Sequence, residues 1–113
     1  MGGRIEKTGK PVLALKRDDG WKEVSEPYAI FRALQHPLRR QMYELLDDGP
    51  LFQSELVRSL ERSTGKRMDV SRVLHHLRIL ERAGLVYRKD VKEGGVRKVL
   101  VSRRADIRVQ IYR

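Results

Sequence analysis

The sequence predicts an α+β fold, mainly α, with a β-hairpin added at the N-terminus. Two stretches carry most of that prediction. Residues 69–86, DVSRVLHHLRILERAGLV, place Val73, Leu77 and Leu80 at i, i+4 and i+7, which is one apolar stripe on an α-helix. Residues 86–102, VYRKDVKEGGVRKVLVS, then read as two strands joined at Glu93, Gly94 and Gly95, with cations along both. A third observation supports a single folded unit with short terminal additions. The chain has 113 residues and 40% apolar content, enough to bury a core of roughly two-thirds of its unfolded surface.

Taken in order, residues 1–10 are rich in glycine and charge and promise little structure. PVLALKRDDGWKEV, residues 11–24, reads as two short strands around an Asp19–Gly20 turn. Trp21, the one tryptophan, is expected to anchor that hairpin on the core or on a partner chain rather than to hold a ligand. Ser25 can cap a short helix from Glu26 to Gln35, with Pro27 in its permissive first turn and Ile30, Phe31 and Leu34 on its buried face. His36 precedes Pro37 and is biased away from helix, so the chain breaks there. Pro37 opens a second helix with a stripe of Leu38, Met42 and Leu45, ended by Asp48, Gly49 and Pro50. Arg39 and Arg40 lie off that stripe, equally able to reach a phosphate or to sit in solvent.

From Phe52 a third helix carries Leu56, Val57 and Leu60, followed by a basic turn at Thr64 to Arg67. In the fourth helix Asp69 can accept a bond from an orphan N–H of the first turn, and Gly84 can take the left-handed conformation that ends it. Opposite the apolar stripe lie Val70, Ser71, Leu74, His75 and Arg78, a mixed, mildly basic face. By itself that face suits an ordinary surface helix as well as one that enters a groove. The tail alternates Ile107, Val109 and Ile111 with Asp106, Arg108 and Gln110, a period of two that favours a strand. Such a strand can pair with the N-terminal hairpin, in the same subunit or across a dimer.

A helix that ends in AGLV and runs into a basic hairpin resembles the recognition helix and wing of winged helix-turn-helix regulators, and the match is best with the ArsR-like group. The resemblance spans Ala33 to Ser102 through LQHPLRRQMYELLDDGP, SELV, VLHHLRILERAGLV and the wing. It implies a winged helix-turn-helix over residues 25–102; the residue pattern adds a tail and hairpin at 1–24 and a strand at 103–113 that offers a dimer contact. Three departures stand out. ERSTGKR occupies the place where the group has a single glycine between helices, Phe52 replaces a small capping residue, and the tail reads as strand where a dimerising helix is usual.

The resemblance also implies roles. Double-stranded DNA is the expected partner, bound by a homodimer. Val70, Ser71, Leu74, His75 and Arg78 would read base edges, while Arg39, Lys66, Arg67, Arg72, Arg88, Lys89, Lys92, Arg97 and Lys98 would hold the backbone. Composition agrees with an anionic partner: the net charge is +10 and the isoelectric point about 10.4. The charge is uneven as well. Residues 1–50 hold nine Lys/Arg against eight Asp/Glu, whereas residues 51–113 hold sixteen against seven.

Other chemistries find little support. With no cysteine, disulfides, thiolate metal sites and cysteine nucleophiles are excluded, and the cysteine pairs of metal-sensing ArsR-like proteins are absent. His75 and His76 are neighbours about 100° apart on a helix and cannot chelate one ion from one face. His76 matches a histidine common in the group and is expected to be packed, leaving His75 as a weak candidate for a metal shared across a dimer. Thr64-Gly65-Lys66-Arg67 lacks the phosphate-loop residues, since Leu60 stands where glycine and Arg67 where Ser or Thr is needed. No enzyme, cofactor or resident metal is expected, and no effector can be named. No apolar run approaches the ~20 residues of a membrane span, so the expected location is cytoplasmic. The competing functions are a non-specific DNA-coating protein and a winged-helix module that docks protein or RNA.

Overall fold

The computed structural model describes residues 11–17, 20–23, 28–104 and 107–111, with side-chain surroundings over 28–104. The elements in order are β1 (Pro11–Arg17), β2 (Gly20–Glu23), α1 (Tyr28–Ala33), α2 (Pro37–Leu45) and β3 (Leu51–Phe52). They continue with α3 (Gln53–Thr64), α4 (Val70–Arg82), β4 (Val86–Glu93), β5 (Val96–Arg103) and β6 (Ile107–Ile111). They form two compact units, one of residues 1–28 with 105–113 and one of residues 29–104. The two terminal segments thus share one unit. Ser25 and the Asp19 corner lie outside the described residues, as does the side chain of Trp21.

In the terminal unit β1 pairs antiparallel with β2 on one side and with β6 on the other. Leu13 is opposite Val109, and Leu15 opposite Ile107. The alternation of the tail is therefore a strand, paired within the chain.

The unit of residues 29–104 is a winged helix-turn-helix. Its core is Met42, Leu56, Leu60, Val73, Leu77, Leu80, Leu85, Val86 and Val101, contributed by α2, α3, α4, the turn after α4 and the sheet. Each such side chain is worth about 1.5–3 kcal/mol of burial. In α2 the buried residues are Met42 and Tyr43, followed by Leu46 at the cap, while Leu38 and Leu45 are half-buried. The expected stripe of Leu38, Met42 and Leu45 is therefore rotated by about one residue. The Arg103 guanidinium lies 3.7 Å over the Tyr43 ring and its Nε donates to the Tyr43 carbonyl at 2.7 Å, which holds Tyr43 inward. Helix α1 ends at Ala33, before the expected Gln35; Ala33 and the following Leu34 are buried, and Ile30 and Phe31 are half-buried.

Local chemistry sets the helix ends. Phe52 caps α3 without a side-chain acceptor; instead Glu55 reaches back and accepts the Phe52 N–H at 3.0 Å. The residues Glu61 to Thr64 extend α3, and Gly65 ends it at φ 68°. The basic turn is thus Gly65 to Asp69, one residue later than the sequence suggests. Glu61 braces it by accepting the Met68 N–H at 3.1 Å. Asp69 caps α4 through the Ser71 N–H at 3.0 Å. At the other end Leu85 N–H bonds Leu80 O and Gly84 N–H bonds Glu81 O, both at 3.0 Å, with Gly84 at φ 78°. That paired pattern requires the left-handed residue, which glycine supplies.

Strands β4 and β5 form a hairpin in the sheet order β3-β5-β4, with Glu93 opposite Val96. Only Gly94 and Gly95 lie between, at φ 59° and 80°, as a two-residue turn with both angles positive demands.

Candidate nucleic-acid interface

Helix α4 has two unlike sides. Val73, His76, Leu77 and Leu80 are buried against the core. Ser71, His75, Arg78 and Arg82 are exposed, and their i, i+4, i+7, i+11 spacing makes one solvent-facing stripe. Val70 is exposed beside its first turn, whereas Leu74 is half-buried at the margin and Arg72 is exposed on the opposite margin. Arg82 is absent from the residues that the sequence alone singles out. The signal for it is present, since extending the Ser71, His75, Arg78 spacing by one helical step reaches it.

The backbone-contact residues do not form one set. Lys66 and Arg67 are exposed in the turn before α4, beside exposed Arg72. Lys89, Lys92, Arg97 and Lys98 are exposed on the hairpin. Lys92 is directly opposite Arg97, so these two share a face. Lys89 and Lys98 lie on the other face, by the alternation of strand side chains. Lys98 Nζ lies 5.0 Å over the Phe52 ring, toward the start of α3.

Arg39 and Arg88 differ from the rest because both are committed internally. Arg88 bonds both oxygens of Glu81 at 3.1 Å, a forked ion pair between the hairpin and α4, and the hydrogen bonds to Glu81 raise its pKa. Arg39 donates through Nε to the Ala33 carbonyl and lies with Nη1 at 3.0 Å from His76 Nδ1. A guanidinium has no acceptor, so His76 must be unprotonated at Nδ1 and carry its proton on Nε2. The sequence assigns both arginines to the phosphate backbone; proximity to a partner on another element turns each inward.

A histidine cluster surrounds that contact. His36 and His76 have ring centroids 4.4 Å apart, and His75 and His76 5.4 Å. His36 Nδ1 accepts the Leu38 N–H at 3.1 Å, which caps α2. Burial above all, then the positive charge of His36, Arg39, His75 and Arg72, lowers the pKa of His76 to about 4. Burial and the same two arginines lower that of His36. His76 is thus a packed structural histidine. Among the described residues, no group of three or more His, Asp or Glu side chains is placed to hold a metal ion. Among them too, no helix is long and apolar enough to cross a membrane.

Residues 36–88, which run from the His36 cap through α4 to the start of the hairpin, match the family model described as bacterial regulatory protein, arsR family. Among solved structures, the chain is similar to HlyU from Vibrio cholerae, at 28% identity and a TM-score of 0.54, over 66% of this chain and 71% of that one. It is also similar to an ArsR family transcriptional regulator, at 26% identity and a TM-score of 0.50, over 67% of this chain and 68% of the other. No curated protein matches it significantly.

Proposed function

We propose, from the ArsR-type winged helix-turn-helix that residues 36–88 carry, that this chain is a transcriptional regulator binding double-stranded DNA sequence-specifically as a homodimer. The observation that supports this most is the asymmetry of α4. One side is locked in the core by Val73, His76, Leu77 and Leu80, so the other presents Ser71, His75, Arg78 and Arg82 in a defined orientation. A major groove admits a helix of this kind, and its base edges are distinguishable by such side chains. Val70, Ser71, Leu74, His75 and Arg78 are the base readers. Lys66, Arg67, Arg72, Lys89, Lys92, Arg97 and Lys98 supply phosphate contacts. Arg39 and Arg88 hold α4 and the hairpin in position instead.

A homodimer fits the small reach of one recognition helix, which covers only a few base pairs. A two-fold dimer would want a near-palindromic target with half-sites ~34–36 Å apart.

Competition binding at fixed salt tests the reading. A selected sequence should bind ~10³-fold or more tighter than random duplex. Equal affinity for all sequences would make it a DNA-coating protein, and no duplex binding at all would make it a module for protein or RNA. Light scattering on the same material should give about twice the 13.2 kDa chain mass.

A further inference from the structure

A cleft lies beside the proposed DNA-reading face. This open cleft runs between α1 and the C-terminal half of α4, with a volume of about 570 Å³. That falls within the roughly 300–1,000 Å³ of small-molecule sites. Ala33, Ile79 and Ala83 give it an apolar lining, and Arg32, Arg39 and Arg82 also line it. No acidic side chain lines it among the described residues. The guanidiniums of Arg39 and Arg82 bring positive charge to one cleft, which a bound anion offsets. A purely inorganic anion would leave the apolar lining wet, so the best complement has a charged head and a hydrocarbon body.

We infer that this cleft binds a small amphipathic carboxylate, with the head at Arg82 and Arg39 and the chain over Ala33, Ile79 and Ala83. The charge complementarity favours this occupant over a neutral one, and the alanines leave room for its chain. The site is wired to the reading helix. Ile79 and Arg82 belong to α4, and Arg39 is the same residue that lies 3.0 Å from His76 Nδ1. A carboxylate that draws Arg39 toward itself weakens the contact with His76. Carboxylate binding and the position of α4 are then linked, so each biases the other. The effect of the ligand on DNA affinity rests on the function proposed above; the binding itself does not.

The test uses the full chain without DNA, titrated with octanoate, with octanol and acetate as the uncharged and the chainless probes. Saturable octanoate binding is expected, at least tenfold tighter than either control, with a shift of the His76 ring ¹⁵N resonances. Arg82→Gln should weaken octanoate tenfold or more, whereas Arg58→Gln, an exposed arginine of α3, should not. No saturable octanoate binding overturns the inference, as does octanol binding equally well. Equal weakening by both arginine variants would mean a diffuse charge effect and would also overturn it. A saturated site that leaves the His76 resonances unmoved would remove the link to α4. Because DNA is absent, none of these results depends on whether the chain is a regulator.

Discussion

Nη1 of Arg39 lies 3.0 Å from Nδ1 of His76, joining the first turn of α2 to the buried side of α4. The same arginine donates to the Ala33 carbonyl at the end of α1, so one side chain ties three helices together. Its charge is what points to DNA in the sequence, and its geometry is what commits it to the fold. Charged hydrogen bonds of this sort are worth about 1.5–3 kcal/mol.

Arg39→Met keeps much of the hydrocarbon stem and removes the donors. It should lower stability by about 1.5–3 kcal/mol in urea denaturation. The slope of log K against log salt for DNA binding should be unchanged, because the Arg39 guanidinium is committed to the Ala33 carbonyl and His76. A slope that drops while stability holds would return Arg39 to the interface.

The pKa of about 4 at His76 carries a pH dependence with a definite sign. In the unfolded chain this histidine takes a proton near its ordinary value of 6.5, whereas the folded chain resists until about 4. Between those values the unfolded state holds more protons, so stability falls as pH falls through that window. Above pH 6.5 the contribution is fully present. The loss should be on the order of 1–3 kcal/mol by pH 4, with His36 adding in the same direction. His76→Gln should flatten the curve; an unchanged slope in that variant would assign the acid sensitivity elsewhere.

Lys92 and Arg97 face each other across the hairpin and share one side of it. Replacing both with Ala should weaken binding to every sequence by a similar factor. The salt slope should fall by roughly 0.9 for each phosphate that the pair neutralises. Lys98, which lies over Phe52, should show a smaller effect when replaced alone. A slope that ignores the double substitution would mean this side of the wing does not touch the backbone.

On α4, His75 is exposed while Leu74 is half-buried. His75→Ala should relax preference at particular base positions, at ~1–3 kcal/mol for each base edge it reads, and leave stability alone. Leu74→Ala should relax preference too, since a leucine can meet a thymine methyl, and should also lower stability modestly. Selection of preferred sequences by each variant reads both. If Leu74→Ala loses stability and keeps the wild-type preference, Leu74 belongs to the core side of the helix.

Much of this architecture is local and so could be read from the chain. The i, i+4, i+7 spacing of Val73, Leu77 and Leu80 specifies both the helix and its buried side, because 3.6 residues per turn is a property of the backbone. Asp69 at one end, Gly84 at the other and the Gly94–Gly95 turn act on neighbours a few residues away, and each does what its residue type requires. What the tertiary structure decided is which side chains are already spoken for. Arg39 meets His76, Arg88 meets Glu81, and Arg103 meets Tyr43 and Asp47. The Tyr43 contact goes with the rotation of the α2 stripe away from Leu38 and Leu45. It also decided that the two terminal segments form one sheet, since strand pairing joins residues with no local signal for each other. Periodicity tells which way a cation faces from its own backbone. Whether it is free for DNA depends on which acceptors and rings folding brings against it, and those neighbours exist only in the assembled core.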